Sequence, residues 1–284
     1  MRTASPRTLR KAPIEITDAY ISLVHDILDE GVIPAQWKQW TALLAMKKGE
    51  DPRDLSRRRD LWLAPHAVKL ITRCLTQEYA ETVLHKAPAS NAGFCANACA
   101  PSQTLTLKLH RARCRRLKQT YLVGFQDLGC YFMSCCREVQ GLCEEWAGVR
   151  PEVIDVMAAF QRGLKGKCET AYGLTGDFAV DRGIMQGCIA SPARSLLQLR
   201  FMAAMVHEAC RGYRFREKGV PMAFYCDDGA WLAETPAALQ MAFDASAMAA
   251  RIADLDVTIK ESDRESDRGT KTAWMGCYYD RLGT

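Results

Sequence analysis

Between Met222 and Leu232 an apolar run enters two adjacent aspartates, Asp227 and Asp228, passes Gly229 and leaves as a second apolar run. Such a stretch fits a β-hairpin whose turn holds both carboxylates, because Asp-Gly tolerates the positive φ of tight hairpin turns. Two adjacent anions repel each other, so the arrangement is easiest to keep where solvent or a cation offsets them. Taken alone, a solvated Asp-Asp-Gly turn accounts for the stretch. A third carboxylate elsewhere in the chain would change that reading.

The flanking sequence alternates helices with a few strands. Thr17 predicts a helix cap, with Tyr20, Leu23, Val24, Ile27 and Leu28 on the buried face and Gly31 as the stop. Leu43 to Met46 reads as a short strand running into the charged turn Lys47-Lys48-Gly49-Glu50-Asp51-Pro52, and Pro65 opens a further helix. Residues 86–101 read as a loop, 102–118 as a basic helix and 121–126 as a buried strand ending at Asp127. A helix follows through Val139, Leu142, Cys143 and Trp146, and another starts at Pro151. Residues 170–172 and 178–180 predict a second hairpin. Ser191-Pro192 and Thr235-Pro236 each predict a cap with a first-turn proline. Two short strands, at 257–260 and 272–279, close the chain. The expected fold class is α+β, with an antiparallel sheet backed by helices.

Composition narrows the setting. Across 284 residues, 48% hydrophobic and 25% charged are ordinary globular values, and no apolar run is long enough to span a membrane. The basic start, residues 1–12, lacks the apolar core of a secretory signal. Among 13 cysteines, Cys130, Cys135, Cys136 and Cys143 fall in apolar-periodic segments and no paired C-x-x-C occurs. That pattern argues against zinc, and for reduced, mostly buried thiols in an intracellular protein, nuclear or cytoplasmic. The net charge is only +5, but it is unevenly spread. Between Thr82 and Gln126 there is no Asp or Glu, while Lys86, Lys108, Arg111, Arg113, Arg115, Arg116 and Lys118 lie there. So one-sided a segment suits a nucleic-acid backbone, and equally a solvated helix face.

Asp127 at a strand end and Asp227-Asp228 on a hairpin turn place three carboxylates at one sheet edge if the strands are neighbours. Hard divalent cations such as Mg²⁺ favour oxygen donors of this kind, and two such ions can serve an in-line phosphoryl transfer. Gly183-Ile184-Met185-Gln186-Gly187-Cys188-Ile189-Ala190-Ser191-Pro192 precedes a helix, where two glycines permit close approach of backbone or ligand. A loop that simply leads into the helix fits that segment as well.

Together these segments resemble the reverse transcriptase domain, most closely that of non-LTR retrotransposons and group II intron proteins. Asp127-Leu128-Gly129-Cys130-Tyr131-Phe132 is similar to the family's first catalytic block, with an aromatic five positions after the Asp. Gly183 to Pro192 resembles its glutamine–glycine…serine–proline block, and Tyr225-Cys226-Asp227-Asp228 its tyrosine-x-Asp-Asp block. Upstream, Ile33 to Lys38 with Lys47-Lys48-Gly49, then Arg59 to Leu63 with Lys69, and Asn91-Ala92-Gly93-Phe94 resemble further blocks; Lys271-Thr272 resembles a later one.

The resemblance implies right-hand polymerase fingers and palm, with the thumb absent or truncated: residues 1–32 as tail and helix, 33–120 as fingers, 121–284 as palm. It implies an RNA-directed DNA polymerase of a retroelement that takes an RNA template, a DNA primer and dNTPs. Asp127, Asp227 and Asp228, with the Leu128 carbonyl, would hold two Mg²⁺ or Mn²⁺ ions. Phe132 would gate the sugar, and Gln186, Lys47, Arg59 and Lys271 would meet the incoming nucleotide. The cations Arg111, Arg113, Arg115, Arg116 and Lys118 would meet nucleic acid on the strength of their charge. Met133, Met185, Asp60 and Cys95 depart from the family pattern, which raises the alternative of an inactive remnant that retains only nucleic-acid binding. No membrane partner is expected.

Overall fold

The computed structural model describes residues 11–46, 58–86, 91–95, 98–170, 172–210, 213–215, 218–220, 222–255, 257 and 273–277. In chain order its elements begin with α1 (Ile14–Glu30), a 3₁₀ turn (Ala35–Lys38), β1 (Gln39–Met46), β2 (Arg58–Leu63) and α2 (His66–Lys86). Then come α3 (Ala100–Arg116), β3 (Tyr121–Gln126), α4 (Tyr131–Ser134), α5 (Arg137–Ala147), α6 (Pro151–Gln161), β4 (Lys165–Thr170), β5 (Gly173–Leu174) and β6 (Phe178–Ala179). The last are α7 (Ser191–Ala209), β7 (Tyr213–Phe215), β8 (Lys218–Val220), β9 (Met222–Tyr225), β10 (Asp228–Ala233), α8 (Pro236–Ile252) and β11 (Ala273–Cys277). The result is a mixed α+β fold with two principal sheets. Among the described residues no helix is long and apolar enough to cross a membrane.

The chain divides into two compact units, each discontinuous in sequence. The first comprises Met1–Thr82 and Glu144–Arg194. Its sheet runs β2-β1-β4-β5, with β6 also on β4. Strands β1 and β2 are antiparallel, whereas β1 and β4 are parallel, pairing Thr41 with Lys167. Residues 170–172 and 178–180, predicted to pair as a hairpin across 173–177, do not pair with each other: Thr170 pairs with Gly173 and Phe178 with Gly166, so β5 and β6 both lie antiparallel on β4 in this mixed sheet. A Cβ at Gly166 would lie 2.7 Å from the Trp62 ring and 2.8 Å from Phe178, so glycine is what lets these rings close over the strand. Helix α1 ends as predicted at Gly31, which adopts φ 68° and donates its N–H to Ile27. It starts one turn early, after Pro13, and the Thr17 hydroxyl donates back to the Pro13 carbonyl instead of capping. Proline's fixed φ already suits a helix entry. Leu23 and Leu28, expected inside, are 37% and 39% exposed.

Helix α5 keeps Cys143 inside but turns the largest apolar residues of its periodic face outward. Leu142 and Trp146 are exposed, whereas Gln140, Cys143, Glu144 and Ala147 are buried. The reason is electrostatic. Glu144, fully buried, accepts from Arg194 Nε at 2.5 Å and from the Tyr79 hydroxyl at 2.8 Å, and the Arg194 guanidinium lies 6.0 Å from the Tyr79 ring centre. A buried charge demands partners of this kind, and that demand outweighs the apolar pattern.

The second unit comprises Val83–Cys143 and Ser195–Thr284. Its four-stranded sheet runs β11-β3-β10-β9 and is antiparallel throughout. Alternation along the strands separates two cores. Tyr121, Val123, Ala223, Ala230 and Leu232 meet Leu107 and Cys114 of α3. Leu122, Phe224, Trp231 and Ala233 meet Ala203 and Val206 of α7 and Leu239 and Ala242 of α8. Trp231 and Val206 are fully enclosed; side chains of this kind contribute roughly 1.5–3 kcal/mol each on burial. Thr235 caps α8 as predicted, accepting from Ala238 N at 3.1 Å. Ser191 does not cap α7; its hydroxyl donates to the Met185 carbonyl at 2.9 Å. The predicted terminal strands become β11 and a single bridge between Val257 and Leu128. Residues 258–260 lie outside the described residues.

Candidate active site

The hairpin pairs Tyr225 with Asp228, so its two turn residues are Cys226 and Asp227 and not the two aspartates. Register decides this: a two-residue loop leaves Asp228 as the first residue of β10. The positive φ, 56°, falls on Cys226. Across the sheet, the last paired residues of β3 and β10 are Gln126 and Gly229. One step beyond them lie Asp127 and Asp228, at the same end of neighbouring strands. Both continue the strand positions of Val123 and Ala230, on the sheet face that meets α3. Asp228 is exposed, and Asp127 and Asp227 are half-buried.

A strap from residue 91 to 95 holds the turn. Ala92 N donates to the Phe224 carbonyl at 3.0 Å, and Asn91 Nδ2 donates to the Cys226 carbonyl at 3.4 Å. Asn91 Oδ1 in turn accepts from Gly93 N at 2.8 Å. The Cys226 thiol is pushed up to about 11, by burial first and then by the Asp227 and Asp228 carboxylates and Cys95. Tyr131 is fully buried and donates to the Ser195 carbonyl at 2.8 Å. Burial lifts its hydroxyl well above the usual phenol value, with Cys135, Cys143 and Asp227 adding to the effect. Phe132 follows it in α4, edge-on to Phe94 at 6.1 Å and 87°.

Behind the carboxylates lies a polar element that sequence reasoning missed. Gln126 Oε1 accepts from Trp231 Nε1 at 2.6 Å and from the Ser246 hydroxyl at 2.7 Å. No local pattern announces it, because Gln126 lies more than a hundred positions from both partners. Tyr131, Glu144 and Arg194 were missed likewise, since their partners lie 50 to 65 positions away.

The donor set at the hairpin end is carboxylate and carbonyl oxygen, which suits a hard divalent cation. Leu128, whose carbonyl was expected to join it, is 4% exposed and bridges Val257. Among the described residues no group of three or more His, Cys, Asp or Glu side chains is gathered for a metal ion. Mg²⁺ is commonly held by one or two carboxylates completed by water and substrate phosphate, so the chemistry of the donors fits.

The other expected nucleotide contacts divide differently. In the first unit, the Trp62 N–H of β2 donates to the Gln186 carbonyl at 2.7 Å. That bond brings Gln186 against the strand carrying Arg59, whose side chain is exposed. Gly187 adopts φ 109° with its Cα against the Trp62 carbonyl, leaving no room for a side chain. Met185 is 2% exposed and belongs to the core. Lys47 and Lys271 lie outside the described residues. Arg111, Arg115, Arg116 and Lys118 are exposed on or just after α3, with Arg113 half-buried. None of the described cysteines is in a disulfide, but burial is confined to Cys114, Cys135, Cys143, Cys188 and Cys210; Cys130 is exposed.

No protein-family model and no curated protein matches this chain. Among solved structures, its fold is similar to that of an apo telomerase from Candida tropicalis truncated from its C-terminal domain. The TM-score is 0.60 at 10% identity, over 88% of this chain and 52% of that one. This chain thus spans about half the length of that structure. The likeness is a distant one, of fold alone.

Proposed function

We propose that this chain is an RNA-directed DNA polymerase domain of a retroelement, adding dNTPs to a primer 3′-end by two-metal phosphoryl transfer. The observation that carries the reading is the register at the sheet end: Asp127 and Asp228 one step beyond the Gln126–Gly229 pair, with Asp227 in the adjoining turn. Asp127, Asp227 and Asp228, with the Leu128 carbonyl, would hold the divalent ions, which supply activation of the attacking hydroxyl and charge stabilisation on the leaving pyrophosphate. Asn91 and Gly93 fix the turn that carries Asp227. Phe132, braced by Phe94, limits bulk at the sugar. The resemblance assigns Gln186 and Arg59 to the incoming nucleotide.

The test is divalent-dependent dNTP incorporation on a primed RNA template. Incorporation by the wild type that is lost in Asp227→Ala supports the reading. Equal signal in both proteins, or none in a folded wild type, rejects it.

A second reading, nucleic-acid binding without turnover, is favoured by Met185, a core side chain where the resembled family has arginine. It predicts salt-sensitive RNA binding with no nucleotide addition under any divalent ion.

A further inference from the structure

Helix α3 spends little of its surface on the core. Leu107, His110 and Cys114, spaced three and four apart, form its inner stripe. His110 lies 5.3 Å from the Tyr121 ring, and Cys114 is fully buried. The outward row is Leu105, Leu109, Ala112 and Arg116, with Leu105 56% and Leu109 61% exposed. Beside it runs a second row at helical spacing, Lys108, Arg111 and Arg115, continued past the helix end by Lys118, and all four are exposed.

Three observations set this face apart from an ordinary solvated helix. No Asp or Glu occurs between residues 83 and 126, so no carboxylate three or four positions away can neutralise the row. Among the described residues, Lys108, Arg111, Arg115, Arg116 and Lys118 make no ion pair. The helix dipole accounts for cations in the last turn, Arg113, Arg115 and Arg116, but not for Lys108 and Arg111 further in. Glu234 does approach the helix, and its influence falls on His110 of the inner stripe.

Position matters as much as charge. Because His110 and Cys114 sit over Tyr121, the cationic half of α3 lies at the start of β3. Asp127 follows six residues later, about 20 Å along an extended strand. From Lys108 to Lys118 the row runs about 15 Å along the helix, which matches about four phosphates at 3.4 Å of rise per nucleotide.

We propose that this row is a second nucleic-acid contact, separate from the carboxylate end, that grips backbone phosphates of a bound duplex without reading its sequence. Its choice of nucleic acid as the polyanion rests on the polymerase reading; the contact itself does not require turnover.

The test measures binding of a fluorescent RNA–DNA hybrid by the full chain in EDTA across a salt series. Each lost phosphate contact lowers the salt slope by about 0.9, so the Arg111→Gln/Arg115→Gln variant should lose about 2 from it. The matching double lysine variant should keep the slope, which separates charge from folding. Asp227→Ala should bind like the wild type even if it abolishes incorporation. An unchanged slope in the glutamine variant overturns the proposal. So does wild-type protein that ignores the hybrid and binds anionic vesicles or an acidic protein through the same residues. Failure of nucleotide addition with the slope loss intact would reject the polymerase reading alone.

Discussion

Gly93 lies with its Cα pressed against Cys226: a Cβ at position 93 would fall 2.6 Å from the Cys226 sulfur and 2.7 Å from its Cα. The contact joins a strap residue to the turn residue immediately before Asp227. Cys226 itself holds φ 56°, an uncommon conformation for a side chain of this kind, so the turn depends on its surroundings to keep it there. Asn91 completes the support by donating to the Cys226 carbonyl.

Gly93→Ala should therefore act on the turn and not only on the strap. The new methyl meets backbone, which cannot rotate away, and overpacking of this kind costs about 1–3 kcal/mol. Urea unfolding should show that loss, and under the polymerase reading incorporation should fall with it. Asn91→Ala, which strands the buried Gly93 N–H without a clash, should cost about 1–3 kcal/mol. Equal stability of Gly93→Ala and the wild type would show that the strap does not set the turn.

The Cys226 thiol gives the turn a pH signature. Its folded value is raised to about 11, chiefly by burial and then by Asp227 and Asp228. A raised value means that the folded state holds the proton more tightly. The resulting stability is fully present below the unfolded thiol's value near 8.5 and is lost as pH rises through about 11. Alkylation of Cys226 at pH 8 should be slower than that of an unfolded thiol, and Asp227→Asn should speed it by removing one anion. Alkylation at the unfolded rate would contradict the burial of this group.

Glu144 offers a test in the first unit. Arg194 is 3% exposed on its side chain and Glu144 is fully buried, so either alone would be an uncompensated interior charge. Glu144→Ala should destabilise the protein by about 3–5 kcal/mol, whereas a joint Glu144→Leu/Arg194→Met variant should recover much of that. Thermal unfolding of both variants distinguishes the pair's contribution from simple loss of volume.

What could be seen beforehand was local. The Thr235-Pro236 cap, the Gly31 stop and the Asp127 strand end are fixed by a few adjacent residues, and all three appear where the sequence puts them. The buried face of α5 was hidden, because Leu142 and Trp146 carry the apolar period while Glu144 is drawn inside by Arg194, fifty positions away. The mixed sheet was hidden too, since the parallel pairing of β1 with β4 joins residues 39–43 to 165–169 across several helices. The hairpin turn was displaced by one residue because the Asp-Gly signal is weaker than the register that pairs Tyr225 with Asp228.

Gln126 shows how the sheet interior supports the strand end that carries Asp127. Its Oε1 accepts from both Trp231 and Ser246 in a fully buried setting. Gln126→Ala strands two donors, each worth about 1–3 kcal/mol when left unmade. Ser246→Ala strands none and removes a single hydrogen bond, so it should cost only about 1 kcal/mol. Equal losses in chemical denaturation would show that the Trp231 bond contributes nothing.

Phe132 and Phe94 make the last pair to test, under the polymerase reading. Phe94 is 50% exposed at φ 56° and presents its ring edge-on to Phe132. Edge-to-face pairs contribute about 0.5–1.5 kcal/mol beyond area, enough to bias the orientation of a half-buried ring. Phe132→Ala should raise ribonucleotide incorporation relative to deoxyribonucleotide, because the bulk facing the sugar is gone. Phe94→Ala leaves that bulk in place but frees it to turn, so it should relax selection in the same direction by a smaller factor. Discrimination is read as the ratio of kcat/KM for the two sugars. A Phe94→Ala ratio equal to the wild type's would mean that Phe132 holds its orientation without the brace, through its 5.5 Å contact with Tyr131.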